Sequence, residues 1–153
     1  SLGAVGLWVA GQTAWNEALA SFVGERGAER YFEQQRFAHS PLRRMMRERA
    51  ERRRLFDAAV DETYAALEQL YASSESDAHK LQTRSRAFEQ LSARMAALLP
   101  ADRVRDLRMN NARLVHLHRY GASNGLLSSL WQRSGATFRR FWALAEHHAR
   151  TQL

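Results

Sequence analysis

Six histidines, one glutamate near a helix start and a run of arginines are the residues here whose chemistry could be used. The histidines are His39, His79, His116, His118, His147 and His148. Two imidazoles on one helix can share a metal ion only when they lie three or four residues apart. No pair has that spacing: His116 and His118 point different ways on a helix, and His147 and His148 are adjacent. Zinc held by these histidines alone is not expected. A Ser/His/Asp triad cannot be assembled from spacing, and the chain has no Gly-x-Ser-x-Gly elbow. It also lacks a glycine-rich phosphate loop. With no cysteine, disulfides, thiol nucleophiles and Cys-type zinc sites are excluded.

Glu17 is the carboxylate with the most suggestive setting. Thr13 is placed to cap a helix whose apolar stripe is Trp15, Leu19, Phe22 and Val23. Glu17 reads as lying beside that stripe, next to Asn16 and before the small residues Ala18 and Ala20. A carboxylate walled off from water in this way is costly without a partner. The plainer role is a helix-start glutamate favoured by the helix dipole.

The third cluster is Arg43, Arg44, Arg47, Arg49, Arg52, Arg53 and Arg54, offset locally by Glu48 and Glu51. It could neutralise phosphates, with binding that weakens steeply in salt. Strand or base recognition also calls for exposed aromatics or a helix-turn-helix setting. The aromatics here fall on apolar stripes instead, so a solvated helix face is the expectation over nucleic-acid binding.

Helices must position all of these residues. Many Ala, Leu, Arg, Glu and Gln with only two prolines favour helix nearly throughout. Residues 2–10 read as an apolar helix end closed at Gly11. A helix then starts near Thr13, passes weak points at Gly24 and Gly27, and continues toward Phe37. Ser40-Pro41 is a restart, with Ser40 capping and Pro41 at the first helical position. From Pro41 to about Ala72 one face carries Leu42, Met45, Met46, Phe56, Val60, Leu67 and Leu70. A polar turn follows, Asp77 caps the next helix, and Ala78 to Leu99 carries Leu81, Phe88, Leu91, Met95 and Leu98 to Pro100. The short loop implies an antiparallel hairpin. Residues 101–109 form a charged connector, and Asn110-Asn111 cap a short helix closed at Gly121. A turn at Ser123-Asn124-Gly125 leads to a helix from Leu126 to Gln132, and Ser134-Gly135 separates it from a last helix, Ala136 to Gln152. Phe138, Phe141, Trp142 and Leu144 or Ala145 should be buried there.

The expected class is therefore all-α, a multi-helix bundle containing a long antiparallel hairpin. One helical domain over 1–153 is expected, with helices of 1–37, the hairpin of 41–99 and short helices of 101–153. Its 153 residues are enough for a real core. Hydrophobic residues at 45% and charged residues at 25% give the balance of a globular protein. The net charge of +7 invites an anionic partner, although most of that excess is arginine set on helices beside glutamate. No run is long enough to span a bilayer. The apolar opening lacks a basic leader and does not start with Met, which reads as a processed or excised piece of a longer protein. Oligomeric state is not legible.

Two stretches carry a family resemblance. Leu7-Trp8-Val9-Ala10-Gly11-Gln12-Thr13-Ala14-Trp15-Asn16-Glu17-Ala18-Leu19-Ala20-Ser21-Phe22-Val23-Gly24 resembles the segment downstream of the zinc motif in a bacterial family of gluzincin-like aminopeptidases. There a His-Glu-x-x-His helix is followed by a Tyr-Val-x-Gly-Asp-Thr-like turn and an Asn-Glu-x-x-Ala helix. Met109-Asn110-Asn111-Ala112-Arg113-Leu114, reaching Tyr120, is similar to the family's Asn-Asn-Ala-x-Leu element. The basic hairpin between them fits the same layout. The resemblance makes Glu17 the third zinc ligand, beside two histidines one helical turn apart, with a water in the fourth position. The glutamate of the His-Glu pair would take that water's proton during attack on a peptide carbonyl. Tyr120, or another donor near Asn110 and Asn111, would stabilise the tetrahedral oxyanion. A peptide substrate and a bacterial envelope or periplasmic location come with the same resemblance.

The chain departs from that pattern where the chemistry sits. In the register set by Leu7 to Thr13, the motif's Glu falls at Ser1 and its second His at Ala4. Either the register is wrong, or the chain is a truncated, altered or degenerate member. As written it keeps the third ligand and lacks the second His and the general base. The expectation is an inactive fragment that binds no zinc alone, with an Arg-faced binding module for nucleic acid or another anion as the alternative.

Overall fold

A computed structural model describes residues 7–100 and 108–153, with Gln35 in its backbone only. The described residues form five α-helices and no strand, the all-α class the composition implies. Residues 2–6 of the expected apolar helix lie outside the described residues, as do 101–107 of the connector. Residues 8–12 make a connection with a turn at Ala10 and Gly11 rather than continuing a helix. Gly11 has a φ of 78°, a conformation that costs a side-chain-bearing residue more than glycine.

Helix α1 runs Thr13–Phe32. Its N-cap is Gln12 rather than Thr13, and no side-chain cap hydrogen bond is made. A short 3₁₀ turn, Gln35–Phe37, precedes α2, Pro41–Ala72. There Ser40 Oγ accepts from the Leu42 N–H at 3.3 Å and Pro41 opens the helix, as expected. Helix α3 spans Asp77–Leu98, and its cap is Ser76, whose Oγ accepts from the His79 N–H at 3.2 Å. Asp77 falls inside the first turn, where its charge complements the helix dipole without capping.

Helix α4, Asn111–Arg133, corrects the sequence expectation of two shorter pieces. Neither Gly121 nor Ser123-Asn124-Gly125 interrupts it. Each helical glycine costs about 1 kcal/mol relative to alanine. Burial of Leu127 and Leu130, which a break here would disturb, is worth more than that per leucine. Asn110 does cap this helix: its Oδ1 accepts from the Arg113 N–H at 2.8 Å. The chain leaves α4 through Ser134-Gly135, with positive φ at Gly135 (67°) and Ala136 (56°). Helix α5, Phe138–Gln152, follows.

The chain divides into two compact units, 1–35 with 119–153 and 36–118. In the first, α1, α5 and the later turns of α4 enclose Trp15, Leu19, Phe22, Leu127, Leu130 and Phe141. Phe22 stacks on Phe141 with ring centroids 5.4 Å apart, and Trp131 meets both edge-on. In the second unit, α2 and α3 pack as the expected hairpin. Its core is Ala59, Val60, Leu67, Leu91, Met95 and, from the first turn of α4, Leu114. The chain's single lysine, Lys80, reaches across the hairpin turn. Its Nζ donates to the carbonyls of Tyr71 at 3.2 Å and Ser73 at 2.8 Å, satisfying acceptors at the end of α2.

The hairpin stripe is shorter than its sequence pattern. Within α2 the buried residues are Ala59, Val60 and Leu67. Leu42 and Met45 are 51% and 57% exposed, and Leu81 on α3 is also exposed. Their spacing continues the stripe, but the first turns of α2 bury no residue.

Candidate functional site

The segment bearing the N-terminal motif is built around Asn16. Its Nδ2 donates to the Val9 carbonyl at 2.8 Å, and its Oδ1 accepts from the Val9 N–H at 2.9 Å. The carboxamide thus occupies both polar groups of Val9, as a neighbouring strand would. Trp15 Nε1 adds a bond to the Leu7 carbonyl at 3.3 Å. Asn16 itself is buried, and pairing both of its polar ends is what makes that burial tolerable. Residues 7–9 are in this way pinned to the first turn of α1.

Glu17 is exposed, not walled off beside the stripe. At about 100° per residue, Trp15, Ala18, Leu19 and Phe22 share one side of α1, and the residue two after Trp15 turns to the opposite side. Sequence spacing alone contained that correction. Farther along α1, Glu29 pairs with Arg26 at 2.8 Å. Burial nonetheless pushes the Glu29 carboxyl above its ordinary range, opposed by Arg26 and assisted by the charges of Glu25 and Glu33. Arg26 also lies over the Phe22 ring, at 5.2 Å from its centroid.

The residues expected to flank the oxyanion are placed as follows. Asn110 and Asn111 sit together at the start of α4, in the second unit. The Asn110 carboxamide oxygen is committed to the helix cap, and Asn111 Oδ1 accepts from the Tyr71 hydroxyl at 2.9 Å. The first oxygen closes the start of α4, and the second fastens that start to the end of α2. An open cavity of about 430 Å³ lies beside them, lined by Arg84, Ser85, Phe88, Met109 and Ala112 as well. Tyr120 belongs to the first unit and packs, partly buried, against its core, and Glu17 is in that unit too. Ser1 and Ala4 lie outside the described residues.

A side-chain group that the sequence did not announce is His118 with Asp61 and Tyr64. His118 Nδ1 lies 2.8 Å from Asp61 Oδ1, and its ring stacks on Tyr64 with centroids 3.8 Å apart and planes 7° from parallel. Asp61 and Tyr64 are three apart on α2, but no local pattern marks His118, 57 positions on, as their partner. The group braces α4 to the hairpin. Elsewhere His148 packs against Trp15 at 5.4 Å, and His79 meets the Thr83 hydroxyl. Among the described residues, no three His, Asp or Glu side chains converge closely enough to hold a metal ion.

A family model described as "Putative aminopeptidase" matches residues 5–152. The chain belongs to that family. No curated protein and no solved structure matches it.

Proposed function

We propose that this chain is the helical, C-terminal portion of a bacterial gluzincin-like metallopeptidase scaffold whose zinc site is degenerate, so that the chain is catalytically inactive. The observation that carries this reading is the two-bonded clamp between Asn16 and Val9. It ties the turn preceding α1 to the helix that bears Glu17. The motif positions upstream lie outside the described residues and are counted along the sequence. Counted so, Ser1 stands where the general-base glutamate would be and Ala4 where the second histidine would be.

The donor set present does not fit zinc. Glu17 offers one carboxylate from an exposed position, whereas a catalytic zinc takes three protein ligands of which histidines are the stronger nitrogen donors. A serine hydroxyl is a poor substitute for a carboxylate base at neutral pH, and an alanine methyl offers no ligand at all. Peptide remains the class of molecule that such a scaffold would bind, without the means to cleave it.

Metal analysis and hydrolysis of aminoacyl chromogenic substrates test the proposal. The chain should carry no stoichiometric zinc and show no hydrolysis above background. Ala4→His should raise zinc affinity about tenfold or more, and Glu17→Gln in that background should remove the gain. Stoichiometric zinc in the unaltered chain, or no gain from Ala4→His, would overturn the reading.

A further inference from the structure

We infer that the first four turns of α2 form a docking surface for an anionic lipid membrane. The proposal is independent of the peptidase reading and rests on the distribution of charge and apolar area around this one stretch.

No residue of α2 before Ala59 is fully buried, and apart from Phe56, which packs partly buried against the hairpin core, residues 41–56 extend past the part of the helix that builds it. On a helical projection, Leu42, Met45, Met46 and Phe56 fall within one narrow arc, and Arg49 and Arg53 lie in the same arc between them. Leu42 and Met45 are half exposed or more. Arg43 and Arg54 flank the arc on one side, Arg52 and then Glu48 on the other, and Arg47 lies toward the opposite side of the helix. The two carboxylates of the stretch pair within the helix, Glu48 with Arg44 at 3.8 Å and Glu51 with Arg54 at 2.6 Å. Arg53 pairs with Asp57 at 3.2 Å. Arg43, Arg47, Arg49 and Arg52 have no carboxylate partner among the described residues.

Both carboxylates of the stretch are taken up by arginines of the helix, which leaves Arg49 within the apolar arc and Arg43 and Arg52 beside it without a carboxylate partner among the described residues. A helix of that kind lies flat in the headgroup region, with apolar side chains entering the acyl boundary and arginines meeting lipid phosphates. The Ser40 cap and Pro41 start the helix firmly, so the surface is preformed.

The composition favours lipid over nucleic acid. Residues 41–56 contain no Ser, Thr, Asn, Gln, Tyr or Trp. Apart from arginine and Phe56, which packs partly buried against the hairpin core, the side chains that read base edges or stack on bases are missing from the face, whereas exposed leucine and methionine have a use only where water is excluded.

Co-sedimentation of the full chain with vesicles tests this. Vesicles of phosphatidylcholine with about a quarter phosphatidylglycerol should bind it at moderate salt, and pure phosphatidylcholine should not. Replacing Arg43, Arg49 and Arg52 by glutamine should weaken binding by roughly fivefold for each arginine removed. Leu42→Ser with Met45→Ser should weaken it about tenfold, at unchanged helix content by circular dichroism. All these positions lie outside the buried core, so the fold should persist. The inference fails if phosphatidylglycerol vesicles are not bound. It also fails if the serine variant binds them as well as the parent. Duplex DNA displacing the protein from vesicles, with DNA affinity untouched by the serine substitutions, would assign the face to nucleic acid instead.

Discussion

Removing the Asn16 carboxamide would break two hydrogen bonds and leave the Val9 N–H without its partner in a half-buried segment, while the Val9 carbonyl keeps the Gln12 N–H at 3.1 Å. A hydrogen bond contributes about 1 kcal/mol net, and a stranded buried group costs about 1–3 kcal/mol more. Asn16→Ala should therefore destabilise the chain by about 2–4 kcal/mol in urea unfolding. Glu17→Ala, on the exposed face, should change stability by less than about 0.5 kcal/mol. Glu29 supplies a pH signature. Its carboxyl is raised above the ordinary 4.5, chiefly by burial. The folded chain then holds the proton more tightly than the unfolded chain. Below the ordinary value both states are protonated and nothing is lost. As pH rises, the unfolded chain releases its proton first, and stability falls until the folded carboxyl has also ionised. Unfolding of the parent and of Glu29→Gln, compared from about pH 4 to about pH 6.5, should show the parent losing stability relative to the variant. A pH-independent difference would contradict the burial argument. At this scale the sequence was partly legible. The motif marked Asn16 and Glu17 as neighbours of interest, but the roles of buried clamp and exposed acid followed only from helical angle and the backbone of Val9.

Among the elements, α4 shows why breaker residues mislead. Gly125 is helical, and a Cβ added there would meet nothing within 4 Å. Its cost is then conformational entropy alone, and Gly125→Ala should stabilise the chain by about 0.5–1 kcal/mol in thermal or urea unfolding. Gly135 has a φ of 67°, and the same substitution there should destabilise. The two glycines look alike in sequence. One continues a helix because leucines on either side of it are buried, and the other ends it. The Ser40 cap and the hairpin were legible because Ser40-Pro41 and the polar turn before α3 act locally, whereas the caps expected at Thr13 and Asp77 fall one residue earlier, at Gln12 and Ser76. The length of the buried stripe on α2 was not, because spacing reports which face could be buried and not where a partner helix stops.

For the molecule as a whole, two cores share one helix. Phe141 is fully buried among aromatics in the first unit, and truncating it should cost about 3–5 kcal/mol. Hydrogen exchange of Phe141→Ala should quicken more in Thr13–Phe32 and Phe138–Gln152 than in Asp77–Leu98, whose side chains pack in the other core. Uniform quickening would mean that the cores unfold as one. The class was readable from composition and period, since almost every stretch favours helix. The division into two cores was not, because it depends on which stripes meet, and the brace of His118 with Asp61 and Tyr64 has no local sign.

The hairpin turn holds the chain's single side-chain amine, Lys80, with two carbonyls already claiming its protons. Amine-directed reagents therefore have one side-chain target, and it is least nucleophilic while the turn is closed. The rate of its acylation becomes a clock for the opening of that turn, read at a single atom without altering the chain.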